Sequence, residues 1–425
     1  MTLKHLKLTL SGCVVLAFVG CGGSGGTSNP PVAVTPVTPT PPVSTVSYAY
    51  GRAIDSQSGG SLASLDAATG KLRYGLYANH GEDNSDNMLP DFSYAGYGGG
   101  GVALPRYDSL DVKQTLIPVA GDNYAAIQAA INTVSTLPQN SKGIRGVVLL
   151  EAGKYEISQT LKITASGVIL RGSGQGALGT VLQATTTEPQ SVLISVLGSG
   201  GGRLPTATTA SARTEIAQDY VPVGTVSVEV EDGSAYAAGD SIAIVRQPNE
   251  SWVSSAVMNM AQYGWDEGTY ELAVERTVTS VDGNKVSFDA PITDAIQSRF
   301  GGGYIYKTDT SDRLQQVGVE NLRLETLDYE DVTREDRAFF AIAFEEVENS
   351  WVRDVTSRYF SQAFNFYDGS RFNTMQDIAF IDPDFEVVGG QHYAFDFKDA
   401  GQNFFQRCYS REGRHSFTSG SRATG

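Results

Sequence analysis

Cysteine and histidine are scarce in this chain. It contains 3 cysteines and 4 histidines in 425 residues, and only Cys408 among the cysteines lies beyond residue 21. A framework of disulfide bonds is therefore excluded for the body of the protein, which has to rely on a large apolar core. We expect Cys408 to be a buried structural thiol rather than a nucleophile.

Basic residues are also few. Lys and Arg total 31 against 47 Asp and Glu, which gives a net charge of −16. This balance argues against nucleic acid, or anionic lipid, as a general partner of the surface, although it leaves room for a local basic site. After the N-terminal region, no apolar run is long enough to cross a bilayer as a helix.

The first residues have the pattern of an export signal. Lys4 and Lys7 precede an apolar run over residues 8–19 that is too short for a stable membrane anchor. The run ends in Phe18-Val19-Gly20-Cys21, which resembles the lipobox of bacterial lipoproteins. The resemblance implies that residues 1–21 are a lipoprotein-type signal and that Cys21 carries the lipid. Ordinary cleavage near Gly20, with free secretion, is the alternative.

An uncharged tether follows the signal. Residues 22–47 consist almost wholly of Gly, Ser, Thr, Pro and Val, a composition that cannot bury enough apolar surface to fold. We therefore expect an exported protein, held at the bacterial membrane by its N-terminal lipid as an outer-membrane lipoprotein, or else secreted or retained at the cell surface.

The rest of the chain has the composition of a repeat protein, with short β-branched runs at intervals of about twenty residues. We expect a hairpin and lead-in segment over 48–100, the first coils with a capping helix over 101–209, and later coils over 297–425. Between these blocks, residues 210–296 alternate with a period of two and carry hairpin turns, which predicts an inserted antiparallel β-module. The pattern stops in mid-coil at residue 425, so we expect the natural protein to continue.

Three segments resemble the pectate-lyase superfamily. They are Asp91-Phe92-Ser93-Tyr94-Ala95-Gly96-Tyr97, the strand-rich stretch 146–155, and the stretch 167–174. The resemblance covers about residues 91–181 and then 317 to the end. It implies an all-β fold, a right-handed parallel β-helix, and an action on polysaccharide. It carries over no catalytic residue, because none of the family's catalytic motifs is recognisable.

A repeated aromatic pattern supports the same fold. Phe344 and Phe366 are 22 residues apart, and Phe397 stands in a third, longer copy. Because side chains alternate along a strand, the pairs Ile342/Phe344, Phe364/Phe366 and Phe395/Phe397 are expected to face inward and to stack. Three outward rows should then be Ala341/Ala363/Ala394, Ala343/Asn365/Asp396 and Glu345/Tyr367/Lys398. The small alanines would leave room for a ligand.

One glycine motif is discounted. Residues 174–179, Gly-Gln-Gly-Ala-Leu-Gly, have the spacing of a dinucleotide-binding loop, but a strand follows where that loop requires a helix. We therefore expect a β-helix turn at this place, and no cofactor is assigned.

The last coils concentrate candidate chemistry, and two of the four histidines lie there. The predicted catalytic residues are Lys398, His392, Tyr367 and Asp396, and the predicted substrate-binding residues are Asn365, Arg411, Arg414 and His415. In β-elimination on a uronate, Lys398 or His392 would be the base, Asn365 or Arg414 would neutralise the carboxylate, and Tyr367 would protonate the leaving oxygen. Ca²⁺ is a further candidate for that neutralisation.

Two other functions stay open. A glycoside hydrolase needs paired carboxylates, for which Asp382, Asp384, Asp396 and Asp399 are available. A non-catalytic glycan-binding or adhesin-like surface protein would need only aromatic and polar outward rows. In each case the expected partner is a polysaccharide, and we expect a monomer.

The lipid anchor can be tested directly. Cys21→Ser removes the thiol that would be acylated, so the variant should lose palmitate labelling and move from the membrane to the soluble fraction. Cys13→Ser, which changes a cysteine inside the signal, is the matched control. Equal labelling of the Cys21 variant and the wild type would contradict the prediction.

Overall fold

The computed structural model describes residues 64–65, 67–68, 72–73, 91–200, 213–254, 259–267, 270–420 and 423–424. The predicted signal, Cys21 and the tether lie outside the described residues. Within them, no helix is both long and apolar enough to cross a membrane. The first described strands, β1 (Ser64–Leu65) and β2 (Leu72–Arg73), form an antiparallel pair.

A strand and a helix begin the solenoid. β3 (Val112–Leu116) pairs in parallel with the first coil, and α1 (Tyr124–Ser135) follows it. One side of α1 joins the main core through Ile127, Ala130, Ile131 and Val134, which recur at helical spacing. This helix caps the N-terminal end of the core, as the apolar pattern predicts.

Two coils of three strands each follow. The first contains β4 (Gly146–Leu150), β5 (Gly153–Ile157) and β6 (Leu161–Ile163), and the second contains β7 (Val168–Arg171), β8 (Thr180–Ala184) and β9 (Val192–Leu197). The chain then leaves the solenoid.

The inserted module is antiparallel. Its elements are β10 (Arg213–Glu215), β11 (Tyr220–Val221), β12 (Ser227–Glu229), β13 (Ser241–Arg246), α2 (Glu250–Ser254), β14 (Leu272–Asp282), β15 (Lys285–Phe288), β16 (Ile296–Gln297) and β17 (Gly303–Lys307). Six strands form one sheet in the order β10-β17-β13-β14-β15-β12, over a core separate from that of the solenoid. The module continues past residue 296, because β17 pairs with β13 and β10.

The solenoid resumes with four coils. Their strands are β18 (Leu314–Gln315), β19 (Gly318–Glu325) and β20 (Phe340–Glu345); β21 (Val347–Glu348), β22 (Trp351–Tyr359) and β23 (Gln362–Phe366); β24 (Thr374–Gln376), β25 (Ala379–Pro383) and β26 (Tyr393–Lys398); β27 (Phe404–Gln406), β28 (Tyr409–Ser410) and β29 (His415–Gly420).

Three parallel faces run along the solenoid. Sheet one contains β3, β4, β7, the first parts of β19 and β22, β24 and β27; sheet two contains β5, β8, the second parts of β19 and β22, β25 and β28. Sheet three contains β6, β9, β20, β23, β26 and β29. The predicted fold class, an all-β right-handed parallel β-helix with a capping helix and an inserted antiparallel module, is confirmed.

Phenylalanines stack inside sheet three. Phe364 is in register with Phe395, and their rings lie 5.7 Å apart and nearly parallel. Phe366 and Phe397 are likewise in register, with ring centroids 5.6 Å apart. These separations are close to the spacing of about 4.8 Å between paired strands. The predicted aromatic column is therefore present.

The predicted row of outward alanines is wrong. Ala341, Ala363 and Ala394 are fully buried in the main core beside the phenylalanines. The backbone amides of Ser361 and Gln362 both donate to the carbonyl of Phe339, so the regular alternation is interrupted just before Ala363. Outside that corner a different register row stands, comprising Phe340, Gln362, Tyr393 and His415.

The outer surface of sheet one is covered by the segment that precedes β3. Tyr97 packs edge-on against the buried Trp351, and the Tyr107 hydroxyl donates to Asp354 Oδ2 at 2.5 Å. Beneath this segment, the Glu320 carboxylate accepts hydrogen bonds from the side chains of Arg171 and Arg353. Among the described residues, sheets two and three therefore offer the accessible faces.

Truncation of the aromatic column should destabilise the whole solenoid. Phe364→Ala should lower the free energy of unfolding by about 3–5 kcal/mol, because it leaves a cavity between two coils. Phe404→Ala is the matched control: residue Phe404 is 41% exposed, and we expect a loss below about 1 kcal/mol. Urea unfolding followed by circular dichroism measures both, and equal losses would contradict the assignment.

Candidate functional site

The candidate site lies on the outside of sheet three, where the polar rows of β20, β23 and β26 adjoin. Asn365 pairs with Asp396, and Asp396 pairs with Thr418 of β29. Tyr367 and Lys398 each follow an inward phenylalanine, so they point outward at the ends of their strands. Parallel pairing thus brings residues 31 positions apart into contact.

Asp396 and Lys398 form the charged centre. Lys398 Nζ lies 3.0 Å from Asp396 Oδ2, and Asp396 Oδ1 accepts from the Thr418 hydroxyl at 2.6 Å. The side chain of Asp396 is 1% exposed and that of Lys398 is 38% exposed. The carboxylate is therefore a buried anchor, whereas the ammonium reaches the solvent.

Tyr367, another of the four predicted catalytic residues, adjoins this ion pair. Its ring lies 5.4 Å from Lys398 Nζ, and its hydroxyl is 3.4 Å from the Gln362 side-chain oxygen. Burial raises the pKa of the Tyr367 phenol, and the nearby carboxylates of Asp396 and Glu345 raise it further. The phenol therefore stays protonated at physiological pH and can donate a proton or hydrogen bond.

Glu345 stands at the same end of the neighbouring strand β20. Its side chain is half-buried, and burial raises its pKa, with Asp368 and Glu346 adding to the rise. The sequence places Glu345 in an outward row but gives no reason to assign it a role. The sequence does show two adjacent acidic residues, Glu345 and Glu346. Whether such residues have a functional role depends on their burial, which the sequence does not give.

Asn365 does not reach the surface, contrary to the expected outward exposure. It is fully buried, and its side-chain nitrogen donates to the carbonyl of Ile342 in the coil below at 2.9 Å. The amide therefore ties two strands of sheet three together, and it cannot contact a substrate in this arrangement.

The expected outward position of His392 is also wrong. The residue is buried, with a left-handed φ of 60° at the corner before β26. Its Nε2 lies 2.7 Å from the Phe385 carbonyl, and its Nδ1 lies 3.2 Å from the Glu412 carbonyl. Both ring nitrogens face backbone oxygens, so the ring holds two loops together and is not presented as a base.

The three predicted binding residues of the last coil do not share one face. His415 is exposed on sheet three and contacts the Tyr393 ring at 5.0 Å. Arg414 donates to the Val388 carbonyl at 2.7 Å, in the loop between sheets two and three. Arg411 pairs with Asp382 on the side of sheet two.

The carboxylates considered for hydrolysis are also separated by their partners. Asp382 binds Arg358 and Arg411, and Asp384 binds the fully buried Arg337 at 2.5 Å. Asp399 lines a small cavity beside Arg371 instead. Of these four carboxylates, Asp396 alone pairs with Lys398 on the outward side of sheet three.

Cys408 packs against the main core, and burial raises the pKa of its thiol to about 12, with Asp377 adding to the rise. Such a thiol is a poor nucleophile. Among the described residues, no group of three or more His, Cys, Asp or Glu side chains is placed to hold a metal ion. The suggested Ca²⁺ therefore has no assigned ligands and stays a prediction.

No family model and no curated protein matches this chain. Solved structures with a similar fold include the tailspike gp49 of Pseudomonas phage LKA1, at 18% identity and a TM-score of 0.43 over 70% of this chain and 41% of that one. Another is the Gp54 tailspike of Acinetobacter baumannii bacteriophage AP22 in complex with a capsular saccharide, at 12% identity, with a TM-score of 0.30 over 68% and 51%.

A third similar structure is a putative glycosyl hydrolase from Parabacteroides merdae, at 10% identity and a TM-score of 0.25 over 73% of this chain and 94% of that one. The chain spans less than half the length of the LKA1 tailspike and about half that of Gp54.

The raised pKa of Glu345 makes a prediction about stability and pH. Between the ordinary glutamate value of 4.5 and the raised value, the folded state binds more protons than the unfolded state. The contribution of Glu345 to the free energy of unfolding must therefore fall as the pH rises through that window. Glu345→Gln removes the effect, so the stability of the variant relative to the wild type should rise between about pH 4 and pH 7. Urea unfolding at a series of pH values tests this, and a flat or falling difference would contradict it.

Proposed function

We propose that this protein is an exported enzyme that acts on an anionic, uronate-containing polysaccharide and cleaves it by β-elimination on the outer surface of sheet three. The observation that carries the proposal is the meeting of three groups on one face: the exposed ammonium of Lys398, the protonated phenol of Tyr367 and the half-buried carboxyl of Glu345. Each supplies one requirement of the reaction.

Lys398 neutralises the substrate. A uronate carboxylate placed against the ammonium loses part of its negative charge, which acidifies the C–H bond on the adjacent carbon. Asp396 holds the ammonium from below through the 3.0 Å ion pair, so Lys398 is fixed as a cation. This role replaces that of general base, because the Lys398 ammonium is already engaged by the Asp396 carboxylate.

Glu345 and Tyr367 move the protons. Burial makes the Glu345 carboxylate a stronger base than an exposed glutamate, and it takes the proton from the acidified carbon. The electron pair of the broken C–H bond forms the C=C bond, and the C–O bond to the leaving sugar breaks. Tyr367 gives its proton to the leaving oxygen, which balances the step.

Loop 384–391 borders the site. The Gln362 side-chain nitrogen donates to the Gly390 carbonyl at 2.6 Å, which turns the Gln362 oxygen toward the Tyr367 hydroxyl.

Arg337 holds the base of this loop through Asp384, and Gln391 donates to Glu335 of the neighbouring loop. These contacts form one wall beside the proton donor.

Hydrolysis is the second candidate function. The raised pKa of Glu345 would also suit a general acid, with Asp396 as the second carboxylate. It ranks second because the Asp396 side chain is 1% exposed and is already bound by both Lys398 and Thr418. A glycan-binding protein without turnover is the third.

The function can be tested with the full-length protein and a panel of uronate polysaccharides. Ultraviolet absorbance that rises with the unsaturated product supports β-elimination. New reducing ends without that absorbance support hydrolysis, and glycan retention without either product supports a binding protein. The absence of product and of retention across the panel would overturn the proposal.

Variants separate the roles. Glu345→Gln should lower kcat by about 10²–10⁴-fold, as expected for loss of a general base. Lys398→Gln should lower kcat/KM on uronate substrates, whereas Lys285→Gln, at an exposed position of strand β15, should leave turnover unchanged. Wild-type rates in the Glu345 and Lys398 variants would place the chemistry elsewhere.

A further inference from the structure

Two arginines on the outside of sheet two share one carboxylate. Arg358 Nε donates to Asp382 Oδ2 at 2.8 Å, and Arg411 Nη2 donates to Oδ1 of the same group. Asp382 would be harder to ionise through burial alone, but the two guanidinium groups lower its pKa. The trio therefore carries one net positive charge on a chain whose net charge is −16.

The guanidinium groups retain donors for a ligand. Each has five N–H donors, and the bonds to Asp382 use one from each. The side chains of Arg358 and Arg411 are 33% and 49% exposed. Guanidinium N–H groups match the geometry of carboxylate and sulfate oxygens, so the open donors suit an anionic group.

A row of small side chains that ends at an exposed tyrosine lies beside Arg358 and Arg411. Thr356, Ala379 and Tyr409 are in register on three successive coils, and the first two are small. Tyr409 is 55% exposed, and its strand β28 comes directly before Arg411. The Arg358 guanidinium also lies over the Tyr359 ring at 4.3 Å. Small side chains next to an exposed ring leave space for a sugar to lie against the tyrosine.

The trio is separate from the sheet-three site. Loop 384–391 connects β25 of sheet two to β26 of sheet three, so it stands between the two surfaces. Arg337 and Asp384 fix its beginning, and Arg414 fixes its middle through the Val388 carbonyl. A ligand in contact with Arg358 and Arg411 therefore lies on the far side of this wall from Lys398.

We propose that Arg358 and Arg411, bridged by Asp382 and flanked by Tyr409, form a second binding site for anionic polysaccharide outside the catalytic surface. The site rests on the proposed function for the class of its ligand. It retains a charged chain at the protein while another segment occupies sheet three. Arg358 and Arg411 belong to the coils on either side of the coil that carries Asp382, so the site offers two cations along the solenoid to a polymer that carries regularly spaced anions.

The test measures binding without turnover. In the full chain carrying Glu345→Gln, affinity electrophoresis and calorimetry with polygalacturonate as the probe give the dissociation constant. We expect Arg358→Gln with Arg411→Gln to weaken binding by about tenfold or more and to reduce its dependence on salt. Arg407→Gln is the matched control, because Arg407 is also exposed and paired with one aspartate, Asp377, and its loss should change binding less than twofold.

Asp382→Asn distinguishes binding from a purely structural ion pair. Removing the carboxylate frees both guanidinium groups, so polygalacturonate binding should be retained or tightened although the pair is broken. Weaker binding in this variant, with folding intact by circular dichroism, would overturn the proposal, as would a double arginine variant that binds like Arg407→Gln.

The outcomes for the two proposals are distinct. If the wild type binds and cleaves a uronate polymer, but the double arginine variant in the Glu345→Gln background binds as well as the Arg407→Gln control, only the second site fails. If the wild type neither binds nor cleaves any anionic polymer in the panel, the proposed function fails and the second site with it.

Discussion

The in-register pairing of parallel strands is the constraint on which the rest of this structure depends. Each coil of sheet three places its residues directly over those of the coil before, so that Phe364 lies between Ile342 and Phe395. An inward position must therefore be apolar in every coil. An outward position has as its neighbours the residues at the same register position on the strands above and below. The polar rows that contain Tyr367 and Lys398 are a consequence of the same stacking that forms the core.

In the part of the chain that the structure describes, insertions enter this solenoid where a coil turns a corner. The antiparallel module leaves after β9 and returns before β18, and it is tied to the later coils by the buried Glu275, which accepts from Arg313 and Arg371. Burial alone would raise the pKa of Glu275, but the two arginines lower it and keep the carboxylate ionised. A buried charge held in this way cannot lose one partner without a large energetic cost. The corner before β26 likewise carries loop 384–391, so the wall beside Tyr367 is added without disturbing the stacked strands.

Although the chain is acidic overall, it has exposed cations at both proposed binding surfaces. Lys398 and the Arg358–Asp382–Arg411 trio each combine an exposed cation with a carboxylate that fixes its position. On a chain of net charge −16, such places attract anions locally while most of the surface repels them. Both surfaces proposed to bind polysaccharide follow this arrangement.

The alternation of Phe364 and Phe366 was sufficient to predict the coil, its inward column and the approach of Tyr367, Asp396 and Lys398, because a regular strand fixes the side on which each residue lies. It failed at Ala363 and at His392. At the first, two successive amides share the Phe339 carbonyl, and at the second a left-handed turn buries the ring. Such irregularities depend on how neighbouring coils meet, which no single strand encodes. The tertiary structure likewise decided the raised pKa of the Glu345 carboxyl and the separation of Arg411 from Lys398. Burial, the proximity of charges and the path of a loop are properties of the assembled coils.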